Sequence, residues 1–68
     1  MTDTAYEIRI RGRVSPAVLQ TFAPLESHVE RVETVLSGSV RDQAELHGVL
    51  HRVQALGLEI VEVRSLPH

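Results

Sequence analysis

The 68-residue chain contains no cysteine, no tryptophan and no lysine, and its aromatic content is Tyr6 and Phe22 alone. Without cysteine it cannot form a disulfide framework, and it offers no thiol nucleophile. Without lysine, and with no serine in a G-x-S-x-G elbow, it offers no recognisable nucleophile paired with a base. Long apolar runs are missing as well. The longest aliphatic stretches are three residues, as in Ala17-Val18-Leu19, far short of the roughly 20 that a membrane-spanning helix needs. The opening Met1-Thr2-Asp3-Thr4 has neither a basic nor an apolar leader region, so export is not expected and the cytoplasm is the expected compartment.

What is present is a short, mildly acidic chain. A domain of this length buries only about 60% of the surface its unfolded chain exposes, which leaves a marginal core. Disulfides being excluded, a metal, a partner or unusually good packing must supply the remainder. The formal charge of -2 gives the whole molecule no attraction for nucleic acid or anionic lipid. Arginine supplies all seven basic residues, a pattern that points first to a GC-rich genome and carries no functional weight.

Hydrophobic periodicity divides the chain into five elements. From Ala5 to Val14, Tyr6, Ile8, Ile10 and Val14 alternate with Glu7, Arg9, Arg11 and Arg13, which predicts a half-buried strand over 5–14 with Gly12 at a bulge or a close backbone approach. Ser15-Pro16 then opens a helix over 16–23, with Val18, Leu19 and Phe22 on one face and Pro24 as its stop. Leu25 to Glu30 reads as a connection.

A second strand is expected over 31–40, with Val32, Thr34, Leu36 and Val40 on one phase. Its exit at Ser37-Gly38-Ser39 is either a turn, a bulge or more strand. Asp42 and Glu45 mark the start of a helix over 43–56, Leu46, Val49, Leu50, Val53 and Leu56 form its core face, and Gly57 is placed for a left-handed cap that folds Leu58 back on Val53. A third strand follows over 58–66, apolar on both faces and so suited to the sheet interior. The expected architecture is a single α+β domain, β-α-β-α-β, a two-layer sandwich of three strands, with four possible, and two helices on one face. This is a ferredoxin-like fold or a reduced version of it.

On the second helix the side opposite the core carries Ala44, Gly48 and Ala55, which is small rather than charged. A helical glycine costs about 1 kcal/mol relative to alanine, and close approach of another backbone would explain Gly48. This face, with neighbouring His47 and His51, is the expected contact in a homo-oligomer, a dimer as its simplest form. The alternative is small residues tolerated on a solvated face.

His47 and His51 stand one turn apart and form Glu45-x-His47-x-x-x-His51, weak metal candidates because two ligands do not make a site. Gly48 occupies the position where a zincin requires glutamate, so no metal or other cofactor is expected. Arg9, Arg11 and Arg13 predict a basic stripe, but RNA-binding sheets stack bases on exposed aromatics, and here Tyr6 and Phe22 face the core. The arginines are expected to pair with Glu33, Glu59 or Glu62 across strands, so no nucleic-acid partner is expected.

The segments Thr34-Val35-Leu36 through Gly38, Asp42-Gln43-Ala44-Glu45-Leu46-His47-Gly48-Val49-Leu50 and Leu56-Gly57-Leu58-Glu59 resemble a group of short actinobacterial proteins of similar length that carry no assigned activity. The resemblance covers about the C-terminal half and implies a stand-alone protein with a Leu-His-Gly helix and no particular substrate. The leading expectation is a self-associating accessory or protein-interaction domain without catalytic activity of its own. The alternative is a ligand or metal site, catalytic or not, built on His47 at an oligomer interface.

Overall fold

The computed structural model describes residues 3–67. In chain order the elements are β1 (Thr4–Arg11), α1 (Pro16–Gln20), β2 (Glu26–Glu30), β3 (Glu33–Val40), α2 (Gln43–Ala55) and β4 (Ile60–Ser65). The four strands form one antiparallel sheet in the order β2-β3-β1-β4. The domain is thus α+β with four strands, the fuller of the two expected counts.

The fourth strand is β2, in the segment expected to be a connection. Glu26-Ser27-His28-Val29-Glu30 is exposed throughout, so it has no buried face and shows no apolar alternation. Its hairpin to β3 turns through Arg31 and Val32, with Arg31 at φ 56° in place of the asparagine or glycine that marks most such turns. Val32, expected on the buried phase, sits in this turn and is 70% exposed. Ser37-Gly38-Ser39 continues as strand.

β1 ends at Arg11 rather than Val14. Gly12 takes φ 88°, and a Cβ there would meet nothing within 4 Å, so the glycine serves a left-handed turn and not a close approach. Val14 is buried beyond the strand, where its N–H donates to Thr34 Oγ1 at 3.1 Å and Thr34 Oγ1 donates to the Gly12 carbonyl at 2.8 Å. One buried hydroxyl therefore satisfies both polar groups of the turned chain.

α1 ends at Gln20, three residues short of expectation, because its i→i−4 ladder gives way to i→i−3 bonds at Thr21, Phe22 and Ala23. Phe22 is nonetheless 1% exposed. Ile8, Ile10, Leu36 and Val40 from the sheet join Phe22 and Leu46, Val49 and Val53 of α2 in one cluster. Gly38 lets this cluster close on its α1 side: a Cβ there would stand 2.6 Å from Leu25 Cδ2 and 3.4 Å from Leu25 Cα.

α2 is capped at both ends. Asp42 accepts the Glu45 N–H at 2.8 Å, and the Glu45 carboxylate takes the Arg41 N–H at 3.0 Å. Gly57 at φ 77° donates to Gln54 O while Leu58 N–H reaches back to Val53 O, the paired bonds of a Schellman motif. Leu56, expected in the core, is 50% exposed. It is the C-cap residue, and Leu58 takes the place over Val53.

β4 begins at Ile60 and lies at an edge, not in the sheet interior. The strand buried on both faces is β3, where Thr34 and Leu36 on one face and Val35 on the other are all 0% exposed.

Candidate functional site

The outward side of α2 is where the helical repeat places it. Ala44, His47, Gly48, His51 and Ala55 are all exposed, and a Cβ on Gly48 would meet nothing within 4 Å. Contacts within the chain therefore do not require a glycine at this position. Glu45 is half-buried and committed elsewhere, since its Oε2 accepts from Arg41 Nε at 3.2 Å. At 100° per residue it points well away from His47. Among the described residues no three His, Cys, Asp or Glu side chains are placed to hold a metal ion.

The sheet face turned away from the cluster carries charge. Arg9 is its hub: Nε donates to Glu7 Oε1 at 3.0 Å, Nη1 donates to Glu30 Oε1 at 2.9 Å and Glu33 Oε1 at 3.3 Å, and Glu62 Oε1 lies 3.8 Å away. Arg11 pairs with Glu59 at 3.1 Å and Arg64 with Glu7 at 3.3 Å. The expected pairing with Glu33, Glu59 and Glu62 is what Arg9 and Arg11 do. Arg13 lies past the end of β1, so the expected three-arginine stripe is two residues long.

Sequence reasoning missed Glu30, because its strand was not foreseen. Glu30 and Glu33 stand opposite each other beside the hairpin turn, a like-charge pair that would repel without the guanidinium between them. The hydrogen bond to Glu30, joined by Glu33 and Glu7, keeps Arg9 charged well above the ordinary arginine range. Glu30 in turn is held below the usual carboxylate range, first by the hydrogen bond that His28 Nε2–H donates at 2.8 Å and then by Arg9. On this face Glu7, Glu26, Glu30, Glu33 and Glu62 outnumber Arg9, Arg11 and Arg64, so it is acidic rather than basic. The ring on this face is the His28 imidazole, held by Glu30, and neither Tyr6 nor Phe22 lies there to stack a base.

Open grooves also lie away from this hub among the described residues. One of about 580 Å³ runs between α1 and β2, lined by Pro16, Leu19, Ala23 and Leu25 with Glu26 and Ser27. A smaller one of about 310 Å³ lies beside Leu56, Ala55, Thr21 and Arg52. Arg52 there spans α2 and the end of α1, its guanidinium 4.9 Å from the Phe22 ring centroid and its Nη1 donating to Thr21 O at 2.8 Å. Neither groove contains a nucleophile, a base and an orienting group together.

A family model described as a domain of unknown function, DUF8691, matches residues 5–64. The chain belongs to the DUF8691 family. The matched DUF8691 span runs from the second residue of β1 to Arg64 in β4 and takes in both helices and all four strands. No curated protein and no solved structure matches the chain. The DUF8691 domain thus presents the exposed side of α2, an acidic sheet face and two unpaired sheet edges, with no helix among the described residues long and apolar enough to cross a membrane.

Proposed function

We propose that this DUF8691 domain is a small self-associating interaction module, without catalytic chemistry of its own, acting in a reducing compartment such as the cytoplasm. The observation that carries the reading is the open strip of α2. Gly48 weakens its helix by about 1 kcal/mol relative to alanine, and no neighbouring atom requires it. A second backbone seated along Ala44, Gly48 and Ala55 would give the glycine its reason, with His47 and His51 at the rim.

The small size of the core supports a need for a partner. The β-α-β-β-α-β order and the strand sequence β4-β1-β3-β2 support reading the fold as a ferredoxin-like two-layer sandwich, in which sheet edges and helix surfaces stay free for contacts. The test is solution mass by light scattering for the wild type and Gly48→Leu. A wild-type oligomer is expected. Loss of that oligomer in Gly48→Leu would place the contact on α2, and a wild type that stays monomeric at millimolar concentration would overturn self-association.

A further inference from the structure

We infer that two copies of this chain join edge to edge through β4, antiparallel about a two-fold axis at Val63, to make one continuous sheet. The inference rests on the self-association proposed above and names a contact separate from the outward strip of α2.

The composition of β4 is the first argument. The bulge at Ile10 brings Ile60 onto the core face with Val63, so Val61 is the apolar residue left over, 42% exposed on a strand whose partner among the described elements is β1 alone. A second copy would supply the missing neighbour.

Hydrogen-bond phase is the second argument. Arg11 N–H donates to Glu59 O and Leu66 N–H donates to Ala5 O, so the odd-numbered residues of β1 bond toward β4. Glu62 and Arg64, in register with Arg9 and Glu7, therefore turn their backbone groups inward, and Val63 and Ser65 turn theirs out to the open edge. The bulge at Ile10 confines the regular edge to the stretch after Val61.

Charge selects the register. With Val63 opposite Val63, Glu62 of each copy lies opposite Arg64 of the other. Both side chains are about half exposed, at 51% and 53%, and both lie on the same sheet face. The row across the joint then alternates in sign: Arg9, Glu62, then Arg64 and Glu7 of the second copy. Moving the axis to residue 62 sets Glu62 against itself, and moving it to residue 64 does the same for Arg64. Moving it to Ser65 sets Val63 against Pro67, which has no N–H to donate. The other edge lacks this complementarity, because β2 carries Glu26, His28 and Glu30 and no arginine.

The absence of cysteine makes a clean test possible with the full chain. Glu62→Cys and Arg64→Cys are prepared separately, then oxidised alone and as a mixture, alongside light scattering of the wild type. Residues 62 and 64 would form a non-hydrogen-bonded pair with Cα atoms about 4.5 Å apart, within disulfide reach. The mixed pair also keeps the second Glu62–Arg64 contact intact. A wild-type oligomer is expected, with several-fold more disulfide-linked dimer in the mixture than in either variant alone. A monomeric wild type would overturn this contact together with self-association. A dimeric wild type whose mixture cross-links no better than the single variants would overturn the β4 joint and leave self-association standing on another surface.

Discussion

Arg9 and Glu30 bond at 2.9 Å although their strands are not neighbours. The guanidinium of β1 reaches across β3 to the carboxylate of β2, and Val35, which lies between Arg9 and His28 in the pairing register, is 0% exposed on a charged face. The aliphatic stem of Arg9 and its ionic head thus act together, the one covering Val35 and the other fastening the hairpin.

Replacing Arg9 with methionine keeps most of that stem and removes the charge, leaving Glu7, Glu30, Glu33 and Glu62 to repel one another. The urea midpoint of Arg9→Met is expected to fall below that of the wild type, with the gap narrowing as salt rises. A gap that stays constant with salt would assign the loss to packing instead.

Acid should weaken the same hub. The folded-state pKa of Glu30 lies below its unfolded value, so the unfolded chain binds more protons over the interval between them. The stabilisation is full above the unfolded carboxylate value of about 4.3 and is lost as pH falls through the folded value. Thermal melts of the wild type and Glu30→Gln through the acid range test this. The variant should be less stable at neutral pH and lose less on acidification, and parallel acid limbs would rule Glu30 out as a contributor.

Thr34→Val preserves shape but leaves the buried Val14 N–H and the Gly12 carbonyl without their partner. The expected loss is about 1–3 kcal/mol in urea unfolding. Thr34→Ser, which keeps the hydroxyl and removes one methyl, should lose about 1 kcal/mol. A Thr34→Val chain that unfolds at the wild-type urea midpoint would mean that the two hydrogen bonds contribute nothing net.

Glycine to alanine should have opposite signs at two positions. At Gly38 the new Cβ runs into Leu25, an overpacking expected to cost about 1–3 kcal/mol. At Gly48 it meets open space on a helix and should stabilise the monomer by about 0.5–1 kcal/mol. Denaturation of both variants at concentrations low enough to hold a monomer decides the matter, and a destabilised Gly48→Ala monomer would contradict the exposure of that site.

Where local chemistry is self-sufficient, the sequence could be read to the residue. Asp42, Glu45, Gly57 and Leu58 carry the start and stop of α2 in their own side chains and dihedrals. Ile8, Ile10 and Leu36 declare a buried face by their period of two. β2 could not be read, since a strand exposed throughout has no apolar phase and its turn uses Arg31 and Val32. The edge position of β4 was hidden for the opposite reason: its apolar residues fall on both sequence phases, and the bulge that puts Ile60 and Val63 on one core face is not written in them. The hub at Arg9 was legible in part. Glu33 and Glu62 follow from strands that could be foreseen, whereas Glu30 depends on the strand that could not.

The placement of β1 between β3 and β4 bears on the order in which the molecule can be assembled. Arg64 of β4 bonds Glu7 of β1 across 57 positions of chain. On a ribosome, where the N-terminal segment emerges first, β1 and β3 come out ahead of β4. Until the last strand emerges, the side of β1 that will receive it stays open to whatever else in the cell can pair there. A chain stopped short of Ile60 would carry that open strand permanently and should be prone to aggregate rather than merely unstable.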